Sequence, residues 1–179
     1  MSQENRDPAA DVLDPSYIEG VNDEPIEKLR SLRDEARDVE TGLSFERRLC
    51  QARIDILAAE LEDRAGDGSS GVMERLPEIL AHQTRQDSGP LPDRAPDLST
   101  PRDVDVQRGR IDEIAGEKTL ARLGQMSEDE IKEILKTLAD HEREVSDRRK
   151  QVQEVVDTIQ AEIVRRYVSG EADPSAALG

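Results

Sequence analysis

ETGLSFERRLCQARID (residues 40–55) decides the fold, because the chain repeats its polar skeleton in EREVSDRRKQVQEVVD (residues 142–157). Glu40, Ser44, Arg47, Gln51 and Asp55 follow the spacing E-x3-S-x2-R-x3-Q-x3-D, and Glu142, Ser146, Arg149, Gln153 and Asp157 repeat it 102 positions later. At this chain's residue frequencies a chance second copy has odds of roughly one in a thousand. With about 100° of turn per helical residue, the five positions fall within an arc of about 80°. Each copy is therefore a polar stripe along one helix, and the two stripes read as halves of a single site.

Beside each stripe runs an apolar seam. Leu43, Cys50, Ile54, Leu57 and Leu61 recur at heptad-like spacing, and Val145, Val152, Val156, Ile159 and Ile163 align with them. Cys50 thus matches Val152 and reads as a small buried hydrophobe rather than a reactive thiol. With Ile54 as heptad position a, Arg47 and Glu40 also fall at a, as do Arg149 and Glu142 in the second copy. An unpaired charge buried at such a seam costs several kcal/mol. Two readings follow: Arg and Glu pair across the seam and fix register, or a ligand between the helices compensates them. Ser44 and Gln51 favour the ligand, since a salt bridge needs neither.

Outward from the motifs, Pro25 suits the first turn of a helix behind Asp23 as candidate cap, and Gly66 ends it. The first long helix is expected over residues 23–66, with Gly42 a weak spot on the face away from the seam, costing about 1 kcal/mol relative to Ala. Ser127 with Glu130 forms a capping box that opens the second, expected over 127–169 and ended by Gly170. Residues 67–126 read as linker, with short helices around Val72–His82 and Val106–Leu123. Residues 1–22 and 170–179 read as disordered tails, in which Tyr17 and Ile18 could dock on a partner. The fold class is all-α, two long helices forming an antiparallel coiled coil. Ends flush, a parallel pair would align the stripes as well; the antiparallel one is favoured because it sets them face to face about a local two-fold axis and lets the linker re-enter at the near end.

Composition agrees. In 179 residues the aromatic share is 2 % and the charged share 37 %, which suits long helices with a narrow seam better than a globule. A net charge of −16 disfavours nucleic acid and fits a basic protein partner or simple solubility. Cys50 excludes an intrachain disulfide and suits a reducing cytoplasm. No leader pattern or apolar run of about 18 residues appears, so a soluble cytoplasmic protein away from membranes is expected.

The stripes' chemistry narrows the ligand. Arg presents a planar fork that matches phosphate oxygens or the O6/N7 edge of guanine, and it stacks on bases. A carboxylate accepts from guanine's N1–H and exocyclic amine, while Ser and Gln satisfy remaining groups. A guanine nucleotide explains this mixture better than bare phosphate. Metal binding fits poorly, because Arg interrupts the carboxylates and no Glu-x-x-His pair is present; His82 and His141 read as isolated and solvent-facing. Catalysis fits no better, with no nucleophile–base arrangement and no Lys in the Gly cluster at 66–71. The chain is expected not to be an enzyme.

The duplicated motif resembles the RsiG family of actinobacterial anti-sigma factors, and LSFERRLCQARIDIL (residues 43–57) is similar to that family's first helix. All ten motif positions match. The resemblance implies that Glu40, Ser44, Arg47, Gln51, Asp55, Glu142, Ser146, Arg149, Gln153 and Asp157 grip a dimer of cyclic di-GMP as a regulatory ligand. It further implies that the loaded protein holds a sporulation sigma factor of the WhiG type away from RNA polymerase, a signalling role in transcription regulation. The competing class is a structural coiled-coil scaffold, or an acidic rod acting on RNA polymerase without a nucleotide.

Overall fold

The computed structural model describes residues 7–66 and 104–172, and every regular element among them is helical. In chain order these are α1 (Pro8–Leu13), a 3-10 turn (Pro15–Tyr17), α2 (Ile26–Ala65), α3 (Val104–Ala115), α4 (Glu117–Ala121), a 3-10 turn (Leu123–Gln125) and α5 (Glu128–Ser169). α2 has 40 residues and α5 has 42, so each is a rod of about 60 Å. The capping box forms as expected: Ser127 N donates to Glu130 Oε2 at 2.7 Å, and Glu130 N donates back to Ser127 Oγ at 3.3 Å. At the far end of α5, Gly170 takes φ 78°, a left-handed turn open to glycine without strain. The helix expected around Val72–His82 lies outside the described residues, as do residues 173–179 of the C-terminal tail.

The chain divides into two compact units, Met1–Thr41 with Asp147–Gly179, and Gly42–Ser146. In the first, Val21, Leu29, Leu32, Ile159 and Ile163 are buried together, with Tyr17, Ile18, Ile26, Val155 and Tyr167 packed around them. Contacts between the α2 and α5 portions run antiparallel: Arg30 meets Tyr167, Arg33 and Arg37 both meet Gln160, and Glu40 meets Arg149. In the second, Cys50, Leu57, Ile111, Ala115, Leu123, Ile131 and Leu138 form the core. The same sense holds there, with Glu46 on His141 and Arg64 donating to the carbonyls of Leu123 and Met126 at 2.8 and 2.6 Å.

Two expectations need correction. Residues 7–22, read as disordered tail, are ordered. Ala9, Val12 and Val21 are buried, and Tyr17 and Ile18 pack inside this chain instead of waiting for a partner. Tyr17 Oη donates to Leu32 O at 2.7 Å, and Arg166 donates to Val21 O at 3.0 Å, to Asn22 O at 2.9 Å and to Glu24 O. These long-range bonds and the burial of two valines offset an ordering cost of about 1–2 kcal/mol per residue that acidic composition alone would leave unmet. Secondly, α3 and α4 are more than linker, because Ile111 and Ala115 are buried in a core they share with α2 and α5. Gly116 joins α3 to α4 where an added Cβ would stand 2.5 Å from Asp112 O. Gly42, on the face of α2 away from the seam, is itself buried.

Candidate functional site

The seam residues behave as their spacing implies. Leu43, Cys50, Leu57, Val145, Val152, Ile159 and Ile163 are all buried, while Ile54, Leu61 and Val156 are half-buried. Burial, followed by the nearby charges of Glu46 and Glu142, pushes the Cys50 thiol up to about 12, which keeps it protonated and inert. Each seam packs against the opposite helix within a unit, Cys50 and Leu57 with Ile131 and Leu138, and Ile159 and Ile163 with Leu29 and Leu32, and motif residues of the two copies meet once in each unit.

In the unit Gly42–Ser146, one carboxylate oxygen gathers three motif donors. Glu142 Oε1 accepts from Ser146 Oγ at 2.9 Å, one turn along α5, and from Gln51 Nε2 at 3.3 Å across from α2. Arg47 Nη1 stands 3.8 Å from the same oxygen, at the loose end of an ion pair. The Arg47 and Glu142 side chains are 22 % and 23 % exposed, so neither is sealed from water. Asp55 and Ser44 are half-buried here, each with a partner of its own.

The other unit repeats the central pairing with the roles of the helices exchanged. Arg149 Nη1 on α5 donates to Glu40 Oε1 on α2 at 3.2 Å. Arg149 Nε is buried and has no hydrogen-bond partner among the described residues, so the guanidinium has a donor to spare. Gln153 and Asp157, one and two turns further along, are exposed, whereas their copies Gln51 and Asp55 are half-buried.

This geometry revises part of the sequence argument. The arginines do not depend on a ligand for compensation, since Glu142 and Glu40 already pair with them. Gln51 and Ser146 also have a local task, completing the shell of Glu142. At 20–30 % exposure such pairs contribute about 0–1 kcal/mol each, so exchanging them for another partner is cheap.

Two further pairs flank the motif arginines, each involving the residue just before one of them. Glu46 Oε1 lies 2.8 Å from His141 Nε2, with side chains 6 % and 13 % exposed. His141 is therefore half-buried and partnered, not the solvent-facing residue that its isolation in sequence implied; His82 lies outside the described residues. Arg148 pairs with Asp7, the N-cap of α1. The signal that could have found both is a break in the repeat: 102 positions after Glu46 stands Arg148, of opposite charge. Among the described residues, no three His, Cys, Asp or Glu side chains are grouped to hold a metal ion, and no helix is long and apolar enough to cross a membrane.

These features define an all-α protein whose two long helices carry a duplicated polar motif, with one Arg–Glu pair from opposite copies in each compact unit. The chain belongs to the RsiG-like family, whose model matches residues 16–80 and 117–178 and so covers both motif copies. Among curated proteins no match was found.

Proposed function

We propose that this protein is an anti-sigma factor whose grip on a sporulation sigma factor of the WhiG type is controlled by cyclic di-GMP. The observation that carries this reading is the family match over both copies of a motif whose ten positions are all kept. In this reading α2 and α5 pair as an antiparallel coiled coil, the sense in which their contacts run inside each unit.

Guanine chemistry accounts for why each arginine is set on a carboxylate. Guanine carries acceptors, O6 and N7, on one edge and donors, N1–H and the exocyclic amine, on the other. Inserted between Arg47 and Glu142, it offers acceptors to the guanidinium and donors to the carboxylate, so neither charge is stranded. Arg149 and Glu40 take a second guanine in the same manner, with the spare Nε–H of Arg149 available to a further acceptor. Ser44, Gln51, Asp55 and Ser146 complete the polar shell of the first, and Gln153 and Asp157 that of the second. Two such sites take one guanine from each molecule of a ligand dimer.

The ligand can act as a switch only through a difference in affinity between conformations; equal affinity for both would shift nothing. The sigma-competent conformation is therefore the one the ligand prefers, and sigma is released when the second messenger falls. A pull-down of purified WhiG-type sigma by this chain, with and without cyclic di-GMP, tests the scheme. Capture only in the presence of ligand supports it, and equal capture in both leaves a structural or RNA-polymerase-directed rod as the better reading.

A further inference from the structure

We infer that the buried Glu46–His141 pair is a positioning device, which sets the axial register of α2 against α5 in the unit Gly42–Ser146. That register is what brings Arg47 and Gln51 onto Glu142. The pair joins the two residues that immediately precede Arg47 and Glu142 in the chain, so a shift in one pair shifts the other.

A heptad seam by itself is degenerate. Leu, Ile, Val and Cys at repeating positions pack almost as well after a slip of seven residues, about 10 Å along the rod. Polar residues at a single layer lift that degeneracy, because any other register leaves them buried without a partner. The Arg47–Glu142 pair serves this purpose less well, being partly exposed, at 22 % and 23 %. Glu46 and His141 are more buried and closer, 2.8 Å apart. The contact is a single hydrogen bond between Glu46 Oε1 and His141 Nε2, and its geometry is directional.

The pair is also not duplicated by the repeat. Glu46 and His141 both occupy heptad position g when Ile54 and Val156 are at a. The positions related to them by the 102-residue repeat are Arg148 and Val39, which cannot reproduce the bond. Arg148 takes its carboxylate from Asp7 instead. The duplicated residues thus supply two equivalent recognition elements, and a non-duplicated pair marks which register is correct. For ligand binding, this inference rests on the function proposed above; for register, it stands on the geometry alone.

The test uses the full-length chain with Cys50 replaced by Val and spin labels at Glu62→Cys and Lys132→Cys, both exposed positions in this unit. With Glu46 and His141 intact, pulsed dipolar spectroscopy gives one narrow label-to-label distance. Glu46→Leu with His141→Leu keeps the apolar packing and helicity, but adds a second distance population displaced by a heptad slip of about 10 Å, and weakens cyclic di-GMP about tenfold or more. His141→Gln, whose amide N–H stands near the place of Nε2, restores the single distance and brings affinity to within about threefold of the parent. A single narrow distance in the double Leu variant overturns the inference, and so does failure of His141→Gln to rescue it. If the parent itself shows no cyclic di-GMP binding, the functional proposal falls while the distances still decide the register.

Discussion

Arg149 donates to Glu40 at 3.2 Å across the two long helices, and both side chains keep roughly a quarter of their surface in water. That combination separates an exchangeable pair from a structural bridge. A double-mutant cycle of Glu40→Ala and Arg149→Ala, followed by urea unfolding, is expected to give a coupling of about 1 kcal/mol or less. A value of about 3 kcal/mol would mark a sealed salt bridge that no ligand could open easily.

Arg166 ties down the end of the N-terminal segment nearest α2. Its guanidinium donates to the carbonyls of Val21, Asn22 and Glu24 and pairs with Glu162 at 2.7 Å. Arg166→Ala orphans those acceptors, at a cost of about 2 kcal/mol, and loosens the segment around residues 21–24, with the Asp7–Arg148 pair left in place. Limited proteolysis should then cut around residues 21–24 at protease levels that leave the parent intact, with α5 still protected.

Stability should fall in acid through Glu162. Hydrogen bonds from Arg165 and Arg166 hold its carboxyl down from the usual 4.5 to about 2. A group depressed on folding contributes stability above its unfolded value and loses it as pH falls through the folded one. Thermal melts taken between pH 4.5 and 2 should therefore drop more steeply for the parent than for Glu162→Gln. Parallel curves would show that the carboxylate is not held as the geometry indicates.

Cys50 should behave as packing. Its thiol is fully buried and held up to about 12, so a maleimide reagent at pH 7.5 is expected to leave it unmodified until the chain is denatured. Cys50→Val, which copies the aligned Val152, should change stability by less than about 1.5 kcal/mol.

The long helices and their ends were legible because their causes are local: a capping box at Ser127 and Glu130, stop signals at Gly66 and Gly170, heptad spacing of apolar residues. The duplicated motif was legible because spacing is itself sequence, and the structure sets Arg47 on Glu142 and Arg149 on Glu40 as opposite copies. What could not be read was everything made by distant partners. Order in residues 7–22 depends on Arg166 and Leu32, and the burial of His141 depends on Glu46, 95 positions away. Local composition called the first disordered and the second solvent-facing, since neither partner lies within a helical turn. The same limit hid the role of α3, whose Ile111 and Ala115 look like linker residues until the core they enter is known.

Calorimetric titration of cyclic di-GMP into the parent chain, Arg47→Ala and Arg149→Ala, with circular dichroism on each, weighs the proposed role of the duplicated motif. Binding by the parent, none detectable in either variant, and unchanged helicity in all three is the expected result. Undiminished affinity in both variants would contradict the assignment of Arg47 and Arg149 to the ligand.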